Sequence, residues 1–420
     1  MPLKITNGQL PEGWVEKKFG EIALLNRGHN PPKSKFIHQP KKGYVRFYQI
    51  RDGKSDNYEV YVPDTPQLHK VEPDDILMVA YRHIGRVFRG ASGAFNVALC
   101  KITNKDRSIL DDDYLFYIIP TEFVRGELMK QAERSLIPSM SVKHLAEIKI
   151  PVPPLSEQKR IVAILNEAFE GIDRAIANTE KNLTNARQLF ESYLNAIFTQ
   201  KGDGWEEKKI EDVCESIIDC VNKTAPVIDE PSPFKMIRTT NVRGGYVNLD
   251  SVRYVTEETY RQWTRRQIPK RGDVLLTREA PMGEVGMLLT NDHVFLGQRI
   301  VSYRTDSSKL DNRFLLYAFQ SNGLQSQIKA FASGSTVQHM RVPDTKILRI
   351  AVPSLSIQRQ VVQKLDTLLF QTQRLEAIYR QKLSALNELK QSILQRAFTG
   401  ELTADTANQA TKAAKEVVAA

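Results

Sequence analysis

One segment of this chain occurs twice. Residues 152–162 read Val152-Pro153-Pro154-Leu155-Ser156-Glu157-Gln158-Lys159-Arg160-Ile161-Val162, and residues 352–362 read Val352-Pro353-Ser354-Leu355-Ser356-Ile357-Gln358-Arg359-Gln360-Val361-Val362. A period this long marks a duplicated domain rather than the turn of a solenoid. Whatever folds once must fold twice, and a doubled unit suggests a target with two parts.

The repeat extends in both directions. Gly13-Trp14 with Lys17-Lys18 matches Gly204-Trp205 with Lys208-Lys209, and Arg46 to Gly53 lines up loosely with Arg238 to Gly245. Asp75-Ile76-Leu77 matches Asp273-Val274-Leu275, Gly85-x-Val87 matches Gly283-x-Val285, and Tyr114 to Tyr117 matches Phe314 to Tyr317. Ala196 to Thr199 matches Arg396 to Thr399. The ends agree better than the middles, as expected of a shared scaffold with divergent loops.

After each Pro-rich stretch the pattern becomes helical. Pro153-Pro154 forbids a helix before it, and Ser156 with Glu157 signals a start. Ile161, Leu165, Ala168, Ile172, Ala175 or Ile176, Thr179, Leu183, Ala186, Phe190, Tyr193 and Ile197 then recur at steps of mostly three and four, a heptad seam. The second seam runs through Val361, Leu365, Leu368, Thr372, Leu375, Tyr379, Leu383, Leu386, Leu389, Ile393 and Ala397. Two such stripes need burial, and each is the other's nearest equal. Antiparallel pairing is preferred because fused copies then become pseudo-two-fold symmetric. The alternative packs each helix on its own domain.

The segments between are short apolar runs broken by Gly, Pro, Asn and Asp, such as Tyr44-Val45-Arg46-Phe47-Tyr48 and Asp75 to Ala80, and they read as strands. A shorter helix is predicted from Asp113 to about Gln131. The fold class is therefore α/β (mixed α+β), pseudo-two-fold symmetric: β-rich domains at 1–152 and 202–352, long helices at 153–201 and 353–402 forming an antiparallel coiled coil, and a flexible tail at 403–420.

Composition excludes several classes. No apolar run is long enough to span a membrane, and the N-terminus has no apolar signal core. Three cysteines, Cys100, Cys214 and Cys220, without metal spacing fit a reducing cytoplasm, and no metal site is expected. The formal net charge of +10 instead favours a polyanionic partner. Basic runs interleaved with Gly, Gln and aromatic residues occur at Arg82, Arg86 and Arg89 and at Arg261, Arg265, Arg266 and Arg271; Arg46, Arg51, Arg238 and Arg243 lie in repeated segments. Arginine forks of this kind suit phosphates and base edges, so these eleven are the candidate DNA contacts.

No active site is legible. Asn30-Pro31-Pro32-Lys33 resembles the loop of adenine-N6 methyltransferases, but Lys33 stands where an aromatic side chain must stack, and no Gly-rich cofactor loop accompanies it. It reads as a turn. Gly28 to Ser34 lacks the second glycine of a phosphate loop. Asp74-Asp75 and Asp111-Asp112-Asp113 read as a strand-end turn and a helix N-terminus.

Taken together, the two Leu-Ser-x-Gln helix starts, the Gly-Trp openings, the terminal Ala397-Phe398-Thr399-Gly400-Glu401-Leu402 and the Met282-Gly283-Glu284-Val285-Gly286 hairpin resemble the specificity subunits of type I restriction–modification systems. The resemblance spans residues 12 to 402 and departs around Gly85 to Phe88. It implies two target-recognition domains, each reading half of a bipartite asymmetric site in double-stranded DNA. It implies that the two helices pair as an antiparallel coiled coil, for which the seams supply Ile161, Leu165, Ile172, Leu183 and Phe190 on one helix and Val361, Leu365, Leu375, Leu383 and Ile393 on the other. It also implies two modification (methyltransferase) subunits and two restriction (translocase/endonuclease) subunits as partners. S-adenosylmethionine and ATP/Mg belong on those partners, so this chain is expected to be non-catalytic and to bind no cofactor. The competing readings are a self-contained DNA methyltransferase or nuclease, and a coiled-coil adaptor without a DNA role.

Overall fold

The structure is a computed structural model and describes residues 10–55, 57–132, 139–332 and 338–403. The expected tail beyond residue 403 lies outside the described residues. Two compact units emerge: residues 1–180 with 381–420, and residues 181–380.

In the first unit, β1 (Val15–Lys18), α1 (Phe19–Ile22), β2 (Ala23–Arg27), β3 (Tyr44–Tyr48), β4 (Tyr61–Pro63), β5 (Lys70–Val71), β6 (Ile76–Val79), β7 (Val87–Phe88), β8 (Gly93–Phe95) and β9 (Leu99–Asn104) precede α2 (Asp112–Ile118), α3 (Glu127–Ala132), α4 (Val142–Glu147) and β10 (Lys149–Val152). The strands form two four-stranded sheets, ordered β2-β9-β6-β7 and β4-β3-β8-β5, and a two-stranded clip β1-β10. A continuous helix, α5 (Leu155–Gln200), follows.

The second unit carries β11 (Glu206–Lys209), β12 (Cys214–Asp219), β13 (Phe234–Ile237), β14 (Val242–Arg243), β15 (Gly245–Val247), β16 (Arg253–Tyr254), α6 (Glu257–Trp263), β17 (Val274–Arg278), β18 (Met282–Met287), β19 (His293–Leu296), β20 (Ile300–Thr305), α7 (Asn312–Gln320), α8 (Asn322–Ala330) and β21 (Arg349–Val352), then α9 (Leu355–Ala397). Its sheets are β12-β20-β17-β18-β15-β14, β16-β13-β19 and the clip β11-β21. The plan is that of the first unit, with a β14-β15 hairpin added to one sheet and, among the described residues, no partner equivalent to β5. The expected β-rich domains and long helices are present.

The helix predicted at Asp113–Gln131 is broken. α2 ends at Ile118, a π-helical turn covers Glu122–Gly126, and α3 starts at Glu127. Pro120 offers no N–H, and Thr121 turns its hydroxyl back onto the Ile118 carbonyl at 2.5 Å. Ser321 does the same to Ala318 at 2.6 Å between α7 and α8, so the hydroxyl marks the break in both units.

Each unit holds parts of both long helices. In the first, Ile161, Leu165, Phe169 and Ile172 share a core with Leu386, Ile393, Leu394, Ala397 and Phe398 and with Tyr114 and Leu115 of the domain. In the second, Leu194 joins Val362, Leu365, Phe314 and Leu315, with Phe190 and Val361 packed against them. Lys390 reaches the Asp173 carboxylate at 2.7 Å and lies 4.7 Å from the centroid of the Phe169 ring. Arg187 meets Glu376 at 3.1 Å. Fourteen residues forward along α5 correspond to fourteen back along α9, so the pairing is antiparallel. The alternative holds for one stretch of each helix: the start of α5 packs on the domain before it, as does the start of α9.

The predicted seam needs two corrections. Leu375 is 38% exposed, because the inward face of α9 there passes through the buried Thr372 and the half-buried Glu376, one turn apart. Tyr193 is also 38% exposed while Leu194 is buried. A straight helix drifts against a seven-residue repeat, and from Leu194 onward α5 packs on the domain, with Phe198 5.2 Å from Phe314 and 6.1 Å from Trp205 between ring centroids. Ile161, Leu165, Ile172, Leu365 and Ile393 are buried; Leu183, Phe190, Val361 and Leu383 are half-buried.

Candidate nucleic-acid interface

The arginines singled out from sequence fall into three environments. Arg46 is buried on β3, ion-paired to Asp52 at 2.6 Å with Glu59 at 3.8 Å, and lies over the Tyr48 and Tyr61 rings. This arginine braces the sheet rather than facing a ligand. Tyr61 donates to Glu59, and that bond raises its phenol pKa.

The turn after β3 also corrects the alignment. Gln49 N donates to Asp52 Oδ2 at 2.6 Å, as Arg238 N donates to Asn241 Oδ1 at 2.8 Å. Arg238 therefore corresponds to Gln49, three residues beyond Arg46. Two similar side chains had suggested the wrong register; the turn's own hydrogen bond sets it.

Other candidates are held by acidic side chains or carbonyls at the surface. Arg89 pairs with Asp113 at 2.6 Å and stacks 4.9 Å from the Phe116 ring centroid. Arg243 reaches Glu284 at 3.5 Å, Arg261 reaches Glu257 at 2.6 Å within α6, and Arg266 pairs with Asp219. Arg271 donates to the Leu289 carbonyl at 3.0 Å. Arg51 lies over Tyr58. Arg265 is exposed. These arginines do not converge on one point.

Two clefts do gather cations. In the first unit a cleft of about 390 Å³ is lined by Lys54, Arg82, His83, Arg86 and Arg125, with no carboxylate among the described residues of its wall. Arg86 is fixed there by donating to the Gly53 carbonyl. Gly85 is at φ 84 and takes the Arg125 stem against its Cα, where any Cβ would collide. In the second unit a cleft of about 300 Å³ is lined by Lys223, Arg238, Arg253, Gln298 and Arg299 around Trp263, with Glu279 as its acid. Arg299 is ion-paired to Glu279 at 2.9 Å. Four basic side chains against one carboxylate make a site for an anion, and the indole adds a surface for stacking.

Sequence reasoning found Arg82, Arg86 and Arg238 and missed Lys54, Arg125, Lys223, Arg253, Gln298 and Arg299. Gly297-Gln298-Arg299 between two apolar strands was the available signal. Each basic residue there stands alone in sequence, so no basic run marks the cleft.

The acidic clusters have structural roles. Asp111 caps α2 by accepting from the Asp113 and Tyr114 amides, and Asp311 repeats this on α7. Asp75 accepts from Glu72 N at 2.9 Å, and Asp273 from Lys270 N at 3.0 Å. Pro32 precedes a 3-10 turn at Lys33–Lys35, and Asn30 accepts from Val97 N at 3.2 Å, so this segment is the turn expected. Burial pushes the Cys100 and Cys214 thiols up to about 12, far from a thiolate nucleophile.

The description "Type I restriction modification DNA specificity domain" matches residues 11–185 and again 202–385. The chain belongs to this family. Its relatives include the MjaVIII specificity subunit of Methanocaldococcus jannaschii, 24% identical, with 95% of each chain covered. Another is the EcoKI specificity subunit of Escherichia coli K12, 24% identical, covering 94% of this chain and 91% of that one. Among solved structures, a chain from a study of type I R-M complex assembly and conformational transition superposes with a TM-score of 0.75 at 20% identity, over 94% of this chain and all of that one. The HsdS subunit from Thermoanaerobacter tengcongensis gives 0.57 at 20% identity, over 94% and 98%. Both share the fold. As a type I specificity subunit the chain recognises DNA sequence and is not itself the catalyst. These matches give no support to the self-contained methyltransferase or nuclease. Among the described residues no helix is long and apolar enough to cross a membrane.

Proposed function

We propose that this chain sets the target of a type I restriction–modification complex by reading a bipartite, asymmetric site in double-stranded DNA, one half per unit. Two modification subunits and two restriction subunits assemble on it in the cytoplasm. S-adenosylmethionine and ATP/Mg act on those subunits, and this chain binds neither. The observation that carries the reading is a scaffold built twice whose two cation-lined clefts, Lys54-Arg82-Arg86-Arg125 and Lys223-Arg238-Arg253-Arg299, differ in composition. One scaffold with two chemistries suits two different half-sites.

Methylome sequencing of a host expressing this chain with its modification subunit tests the proposal. The expected result is one two-part methylated sequence with a fixed gap. Exchanging residues 12–150 for those of a relative is expected to change one half and leave the other. A single uninterrupted target, or a swap that alters both halves, contradicts the proposal.

A further inference from the structure

In each unit, three short segments meet at one corner, and backbone hydrogen bonds match the two corners residue by residue. In the first, Asn96 N donates to Tyr48 O at 3.0 Å, Ala80 N to Ala98 O at 2.9 Å and Met140 N to Ala80 O at 2.9 Å. In the second, Gly297 N donates to Ile237 O at 2.7 Å, Arg278 N to Arg299 O at 2.8 Å and Met340 N to Arg278 O at 3.0 Å. The bridges Tyr81–Ser139 and Glu279–His339 also correspond, and the next residue in each case, Arg82 or Ala280, is left-handed at φ 62 or 50. Phe47 N bonds to Val60 O where Met236 pairs with Arg253.

The side chains at these matched positions do not agree. Gln49 stands where Arg238 stands, Val60 where Arg253, Tyr81 where Glu279, Arg82 where Ala280, Val97 where Gln298, and Ala98 where Arg299. Val60 is buried in an apolar cluster, so folding accounts for it; at the other five positions the shared backbone hydrogen bonds do not dictate the identities. Their polar groups are also underused. Gln49 Nε2 and Arg238 Nε, at equivalent positions, are buried without a hydrogen-bond partner. Arg253 and Gln298 are exposed and make no side-chain hydrogen bond or ion pair among the described residues. Arg299 holds the left-handed φ of 70, a conformation unfavourable for a non-glycine residue. Its Glu279 partner keeps the guanidinium fork in one orientation.

We propose that this corner is the base-reading edge of each unit. Arg238, Arg253, Gln298 and Arg299 read one half-site with forks and an amide, and Gln49, Tyr81, Arg82 and Val97 read the other with a mixed apolar and polar surface. Arginine and glutamine make paired bonds to guanine and adenine in the major groove, while valine and aromatic rings suit a thymine methyl. The exposed run Arg261, Arg265 and Arg266 then contacts phosphates. This assignment rests on the DNA-specificity reading above.

The test uses the full chain assembled with its modification subunit and two variants. Arg253→Ala/Gln298→Val removes side chains that no hydrogen bond or ion pair among the described residues holds, and Arg82→Ala installs the residue that the other unit already carries in this backbone conformation. Methylome sequencing is paired with competition by duplexes altered in one half-site. The expected result is that the first variant loses about tenfold or more discrimination at positions in one half, and the second loses discrimination in the opposite half. Unchanged discrimination in both halves, or loss by both variants in the same half, overturns the corner. A wild-type chain that directs no two-part methylation instead overturns the specificity reading itself.

Discussion

The two units agree most closely where domain meets helix and least where the candidate DNA faces lie. At the root of α5 the fully buried Gln158 donates to Pro153 O and Ile109 O and accepts from Asp111 N, all at 2.8 Å. At the root of α9 Gln358 donates to Pro353 O at 2.8 Å and Lys309 O at 2.9 Å and accepts from Asp311 N at 2.8 Å. Tyr117 reaches Asn166 at 2.6 Å, and Tyr317 reaches Asp366. The glutamine of the repeated Leu-Ser-x-Gln sequence, itself fully buried, thus satisfies three backbone groups, which explains why it appears in both copies. The corners, with the same backbone, share almost no side-chain chemistry. The joint is fixed by folding; the face is left to the ligand.

The largest expected effect probes the joint through its aromatic plug. Phe398 is buried against Tyr114, 5.0 Å between centroids, while Phe198 is half-buried between Phe314 and Trp205. Phe398→Ala is expected to destabilise the first unit by about 3–5 kcal/mol, the usual cost of a core phenylalanine. Phe198→Ala is expected to cost the second unit less. Urea unfolding, followed in each unit by the exposure of Cys100 or Cys214 to a thiol reagent, reads this out. Equal losses would mean that the plugs are more alike than their burial.

Gln158→Ala and Gln358→Ala come next. Each leaves a part-buried N–H and two carbonyls, one of them buried, without this partner, at about 2–3 kcal/mol. The prediction is equality: the two variants should lower their own unit's unfolding midpoint alike. A several-fold difference would break the idea that the joint is one device used twice.

These pairs also show what could be read from sequence. The repeat, the helix starts and most of the buried seam were legible, because a Pro-bounded start and a regular apolar period are local signals. Leu375 and Tyr193 were misjudged because which side of a helix is covered depends on what lies opposite. Arg46 looked like a ligand residue, yet its partner Asp52 is six residues on, and only the sheet and the turn together bury the pair. The clefts were the least legible. Lys223, Arg253 and Arg299 come from three separate segments, and β13, β16 and β19 must pair before they meet.

Ion pairs between the helices should matter less. Asp173–Lys390 in one unit and Arg187–Glu376 in the other each join an exposed side chain to a half-buried one at the surface. Asp173→Ala and Arg187→Ala are each expected to shift stability by less than about 1 kcal/mol, and the effect should fade in 1 M salt. A loss of several kcal/mol from either would mean that charge rather than the apolar stripe holds the helices together.

The smallest effect is a comparison of two exposed turns. Asp106 and Asp306 have pKa values below the ordinary carboxylate range, chiefly because the Ser108 and Ser308 hydroxyls donate to them at 2.6 Å, with the same residues' amides adding a second bond. Asp306 has a further cation, Lys309 at 3.2 Å, where the first unit has Ile109. A carboxylate with a depressed folded-state pKa adds stability above its unfolded-state pKa and loses it as pH falls through the folded value. Ser108→Ala and Ser308→Ala should therefore raise both pKa values and narrow the acidic window in which this contribution persists. The rise should be less complete at Asp306, where Lys309 remains. Carboxyl NMR titration of the two variants reads the shifts directly. If Asp306 returned fully to the ordinary range while Asp106 did not, the lysine would have no hold on it, and this difference between the two turns would vanish.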